Sequence, residues 1–202
     1  MKNLIALQLL AESISEETFA TSKGAAKEII KSVVAANTEP IAKLNKLSVF
    51  DVVLNDKNSP MRGVYYDEAT KCAIACNGKV LYINPKEYKD SRKGKIYDFD
   101  GNEVEGQYFD YNTILSGKPL KIEVESKEWI VNAAKEAEAI AKLEDRPYGV
   151  IRLAENIRTT CCISTEVIPY LLWAGTDGWE SYGKGICKVM QNGAKLLLVK
   201  CV

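Results

Sequence analysis

Two Asn-Gly dipeptides, Asn77-Gly78 and Asn192-Gly193, stand in near-matching surroundings about half the chain apart in a sequence of 202 residues. The first joins Cys76 to Val80-Leu81-Tyr82-Ile83, and the second joins Gln191 to Ala194-Lys195-Leu196-Leu197-Leu198-Val199. Apolar or alternating runs flanking Asn-Gly predict a β-hairpin closed by a type I′ turn, with φ > 0 at both turn residues. A hairpin repeated at this distance predicts a fold made of two related units.

The rest of the chain supplies the parts of those units. Residues 1–46 read as a helical N-terminal segment: Ala26, Ile29, Ile30, Val33 and Val34 fall at 3-4 spacing on one face, and Pro40 follows the break at 37–39. Residues 47–202 form the main domain. It opens with a short helix at 49–54 capped by Ser48, and strands at 62–66, 70–76 and 79–84 follow. Asp100-Gly101 signals a further hairpin between 96–99 and 102–105. After a strand at 120–125, Ser126 caps the clearest helix, 127–143, with Trp129, Ile130, Ala133, Ala137, Ile140 and Ala141 on one face. Strands at 148–153 and 158–163, a helix running from Ser164 or Thr165 to Trp173, and strands at 185–190 and 194–202 complete it. Each unit is a short helix followed by strands whose last pair turns on Asn-Gly. The fold class expected is therefore α+β, an antiparallel sheet with helices on one face.

Composition removes several chemistries. The chain has no histidine, so the commonest general base and the Ser-His and Cys-His nucleophile pairs are missing. Among six cysteines only Cys72 and Cys76 are closely spaced, on a strand that points both to one face, and they lack the second pair a structural zinc site requires. Neither a metal nor a cofactor is expected, and buried thiols in a reducing cytoplasm are the simpler assignment. The apolar run at 4–10 is interrupted by Gln8 and lacks a signal-peptide pattern, and no stretch has the ~20 apolar residues of a spanning helix. A cytoplasmic location without membrane contact is expected.

Two motif fragments fail on context. Gly178-x-x-x-x-Gly183-Lys184 lacks the hydroxyl residue of a phosphate loop, with Gly185 in its place and a strand to follow. Asp98-x-Asp100-Gly101 places glycine too early for a calcium loop. The pairs Glu103/Glu105 and Glu123/Glu125 share strand faces and are the candidates for carboxylate acid-base chemistry, but alternating Glu with an apolar residue is also what a half-solvated strand looks like. The expected function is not enzymatic.

With 27 basic and 27 acidic residues, the chain has no overall field to attract nucleic acid. Binding would have to be local. Lys86, Lys89, Arg92 and Lys93, interleaved with Tyr88, form the candidate DNA-binding loop, because no other stretch concentrates basic charge without matching acids.

Met61-Arg62-Gly63-Val64-Tyr65-Tyr66-Asp67, followed by Ala73-Ile74-Ala75-Cys76-Asn77-Gly78-Lys79-Val80-Leu81, resembles the bacterial DNA sliding clamps, the β subunit of the replicative polymerase. Val104-Glu105-Gly106-Gln107-Tyr108-Phe109-Asp110-Tyr111 and the closing run Lys195-Leu196-Leu197-Leu198-Val199 are similar to later segments of that family. Asn77, Lys79 and Phe109 stand where the family writes Asp, His and Pro. The resemblance implies one clamp-like domain over residues 47–202, made of two helix-plus-sheet repeats. It implies a non-catalytic role in DNA replication or repair, as a processivity factor or clamp mimic, with double-stranded DNA and replication proteins as partners. A monomer or dimer is expected rather than a ring. The alternatives are a protein-interaction module that keeps the fold without binding DNA, and a small carboxylate-dependent hydrolase.

Overall fold

The structure is a computed structural model that describes residues 41, 44–53, 61–106, 108, 110–116, 118–155, 160–182, 185–190 and 195–199. Most of the predicted helical segment 1–46, including its apolar face from Ala26 to Val34, and the Asn192-Gly193 turn lie outside the described residues. The helices are α1 (Val49–Val53), α2 (Asn112–Leu115), α3 (Lys127–Leu143) and α4 (Ile168–Ala174). The strands are β1 (Val64–Asp67), β2 (Cys72–Cys76), β3 (Val80–Asn84), β4 (Ile96–Tyr97), β5 (Leu120–Ile122), β6 (Val150–Glu155), β7 (Thr160–Ser164), β8 (Trp179–Ser181), β9 (Gly185–Val189) and β10 (Lys195–Val199).

The α+β class follows directly from these elements. Eight strands form one antiparallel sheet in the order β4-β1-β2-β3-β10-β9-β8-β5. Two three-strand meanders, β1-β2-β3 and β8-β9-β10, meet through their last strands, with Lys195 opposite Ile83 and Leu198 opposite Val80. Strand β6 pairs with β7 alone, with a register shift between Arg152 and Ala154. This hairpin was expected among the sheet strands. Its inward residues Ile151, Leu153, Cys161 and Ile163 instead join the core on the helix side of the sheet.

Side-chain alternation sorts the central strands into two faces. Val64, Tyr66, Ala73, Ala75, Val80, Tyr82, Ile186 and Leu196 face the helix side and share one core with Val49 and Val52 of α1, Ile130 and Ala134 of α3, and Ile168 and Leu171 of α4. Ile74, Cys76, Leu81, Ile83 and Cys187 point the other way. They are covered by Met61, Tyr111 and, partly buried, Tyr108 and Leu115. The sheet is thus apolar on both sides, which explains why β2 and β3 read as near-continuous hydrophobic runs. Each fully buried Leu or Ile here holds about 2–5 kcal/mol against truncation to Ala.

Local chemistry sets the helix starts. Ser48 and Asp51 cap α1 reciprocally: the Asp51 N–H donates to Ser48 Oγ at 3.3 Å, and the Ser48 N–H to Asp51 Oδ2 at 2.7 Å. Ser126 Oγ accepts the Trp129 N–H at 3.2 Å at the start of α3. A short 3-10 turn, Thr165–Val167, leads into α4, where Pro169 sits in the first turn and Gly175 ends the helix at φ +81°. One expectation for α3 is corrected. The helix meets the core through Ile130, Ala134 and Ala141, whereas Trp129 and Ile140 remain 41% and 45% exposed.

The turn at Asn77-Gly78 is present, but not as type I′. Gly78 alone has positive φ, at +84°. The β2/β3 register pairs Cys76 with Leu81, and the Asn77 N–H donates to the Val80 carbonyl at 3.1 Å, so Gly78 and Lys79 are the two central residues. Glycine at the first central position is the type II′ pattern. Asn77 contributes its side chain instead: Oδ1 accepts the N–H of Lys79 at 3.0 Å and of Val80 at 2.8 Å.

Candidate nucleic-acid interface

The basic loop leaves the end of β3 and returns to the sheet at β4. Asn84 is buried at its root, where Oδ1 accepts the Lys86 N–H at 3.0 Å and Nδ2 donates to Glu87 Oε1 at 2.6 Å. Pro85–Glu87 then forms a 3-10 turn, tied to α1 by the Val49 N–H donating to Glu87 Oε2 at 3.3 Å. A second 3-10 turn, Asp90–Arg92, follows. The Gly94 N–H returns to the Tyr66 carbonyl at 2.8 Å, with φ +73° at Gly94 allowing the reversal. Rigid turns anchored to the sheet therefore hold Lys86, Lys89, Arg92 and Lys93 in one loop.

Their surroundings differ. The Arg92 guanidinium lies 4.5 Å from the Tyr97 ring centroid and 5.7 Å from that of Tyr66, and donates to the Tyr66 hydroxyl at 3.4 Å. Lys93 pairs with Glu68 of the β1–β2 turn at 3.1 Å, and the adjoining Lys95 pairs with Glu103 at 2.6 Å. These carboxylates hold both ammonium groups above the ordinary lysine range. Lys71, at φ +53°, donates to Asp90 at 3.2 Å; the bond lowers the Asp90 carboxyl and raises the lysine. Lys86 and Lys89 are exposed and make no ion pair among the described residues. The concentration of bases seen along the sequence is matched in space by Glu68, Asp90 and Glu103. Asp90 was adjacent and visible; Glu68 and Glu103 reach the loop only because β1 pairs with β2 and β4.

The other expected sites also have places. Cys72 and Cys76 share the sheet face opposite the helices, as the strand period requires, and among the described residues no group of three or more Cys, Asp or Glu is placed to hold a metal ion. Asp98 accepts the Asn102 N–H at 2.8 Å within a hairpin in which Tyr97 bridges Glu103, a complete account of the Asp98-x-Asp100-Gly101 fragment. Gly178 lies in the turn before β8, and Gly185 opens β9. Among the described residues, no helix is long and apolar enough to cross a membrane.

A second surface lies on the helix side. An open groove of about 500 Å³ runs between α3 and β6, with Ala133 and Ala137 between the larger Trp129 and Ile140. Its width is fixed by Gly149, where a Cβ would come within 2.5 Å of the Ala137 backbone. Periodicity had marked these α3 residues as apolar without revealing that part of the stripe faces outward. Compared with known proteins, the chain matches no family model, no curated protein and no solved structure.

Proposed function

We propose that this chain is a non-catalytic, sliding-clamp-like protein that acts on double-stranded DNA in replication or repair, as a processivity factor or clamp mimic. The observation that carries the proposal is the order of the sheet: two three-strand meanders meet through their last strands, each has a further strand at its outer edge, and α1 packs on β1–β3 while α3 joins the same core through β6 and α4. Two such halves are what the motif order implies for a clamp-like domain, with the β6–β7 hairpin added to the second. Lys86 and Lys89 supply the phosphate contacts, because Arg92 and Lys93 are held by aromatic rings and a carboxylate. Duplex DNA and replication proteins are the partners, and the protein works as a monomer or dimer.

One observation favours a second function, a protein-interaction module that keeps the frame without binding DNA. Acids neutralise much of the loop, while Trp129, Ile140 and Val150 are exposed large apolar residues lining the α3–β6 groove. Titration of a fluorescent duplex with the full chain at low salt separates the two. Saturable binding that Lys86→Gln with Lys89→Gln weakens is expected of the clamp-like protein. Absence of binding, with the chain folded, would favour the interaction module.

A further inference from the structure

Strand β9 places Lys188 on the helix side of the sheet, in step with buried Ile186, and Met190, just past its end, packs against the same core. Helix α4 ends above them, and Gly175 turns the chain away. Between the helix end and the strand lies an open pocket of about 540 Å³, within the range of small-molecule sites. Trp173 and Met190 supply apolar walls, and the exposed Asp177 also lines it.

Lys188 is the cation of this pocket. Its Nζ donates to the Gly175 carbonyl at 3.2 Å, an oxygen that already accepts Trp179 Nε1 at 2.8 Å. That bond caps the carbonyl end of α4 and uses one of the three donors of an ammonium. Among the described residues Lys188 makes no ion pair. Burial pushes its pKa below the ordinary lysine value, and the nearby Asp177 offsets that only in part. An ammonium with donors to spare attracts an anion and partial desolvation strengthens that attraction, while the Asp177 carboxylate on the pocket wall opposes it.

We propose that this pocket binds a small aromatic carboxylate, its acid group on Lys188 Nζ and its ring against Trp173 and Met190. The indole face and the thioether both favour a flat aromatic body. The site is independent of the basic loop and of any action on DNA.

Naphthoate titrated into the full chain, followed by NMR, tests this, with uncharged naphthylmethanol as the matched probe. Saturable naphthoate binding is expected, about tenfold or more tighter than naphthylmethanol and lost by a similar factor in Lys188→Met, because the charged hydrogen bond to Lys188 Nζ is missing in both cases. Lys188→Arg should retain binding. If Lys188→Met fails to fold, the comparison of the two probes on the native chain still decides. Equal affinity for both probes, undiminished binding by a folded Lys188→Met, or no saturable binding would overturn the proposal.

Discussion

Gly78 shows how far a single residue was legible. The dipeptide Asn77-Gly78 marked the turn between two strands, and the turn is there; the positive φ falls on Gly78 alone because Gly78 and Lys79 are the central residues, while the Asn77 side chain holds the N–H groups of Lys79 and Val80. A Cβ on Gly78 would meet nothing within 4 Å, so only backbone strain opposes substitution. Gly78→Val is expected to destabilise the protein by about 1 kcal/mol or more in denaturant unfolding. An unchanged midpoint would contradict the turn geometry. At Gly63 the obstacle is different, since a Cβ would lie 2.3 Å from the Tyr97 carbonyl oxygen. Arg92 was legible as a base but not as a structural one, because its seat between Tyr66 and Tyr97 depends on the pairing of β1 with β4. Arg92→Gln should lower stability by about 0.5–1 kcal/mol in the same measurement; no change would mean the ring contacts contribute nothing.

At the scale of elements, most helices and strands were readable because their signals are local. Helix α3 spans the predicted 127–143, set by Ser126 at its start. Ser126→Ala is expected to cost about 1 kcal/mol, read from the denaturant midpoint, and the loss should appear equally in helical circular dichroism and tryptophan fluorescence if the helix unfolds with the core. An unchanged midpoint would show that Ser126 is dispensable as a cap. Strand β8 was missed: Trp179-Glu180-Ser181 is too short to establish alternation and directly follows a turn containing Gly175 and Gly178. The β6 and β7 strands were legible, but their exclusion from the main sheet was not, since strand patterning carries no information about which strand is the neighbour. The outward half of the α3 stripe was hidden for a similar reason. A stripe records which residues are apolar, whereas Ile130, Ala134 and Ala141 versus Trp129 and Ile140 were divided by where β6 and the sheet lie.

For the whole molecule, the consequential feature is a sheet with apolar cover on both faces. Helices were expected on one face; the second cover, built from Met61, Tyr108, Tyr111 and Leu115, comes from loop residues and the four-residue α2, too short for periodicity to assign. One tyrosine reports on each side. Burial pushes the Tyr82 phenol, on the helix side, up to about 12, with the Glu87 carboxylate adding to it. Burial also pushes Tyr108, on the opposite side, up to about 12, with Tyr111 and nearby acids contributing. Unfolded tyrosine ionises near 10.0. The folded state therefore keeps protons that the unfolded state has released, and this stability is fully present below pH 10 and is lost as pH rises through about 12. Alkaline unfolding should coincide with tyrosinate absorbance; ionisation of all tyrosines near pH 10 without unfolding would show that neither face is closed.

The clamp-like function is tested most directly by the salt dependence of duplex binding. The affinity of the full chain for a DNA duplex should fall linearly in log-log form as salt rises, and Lys86→Gln with Lys89→Gln should reduce the slope by about 2 × 0.9, while Arg92→Gln with Lys93→Gln changes it far less. No measurable binding at low salt, or a slope that ignores Lys86 and Lys89, would contradict it.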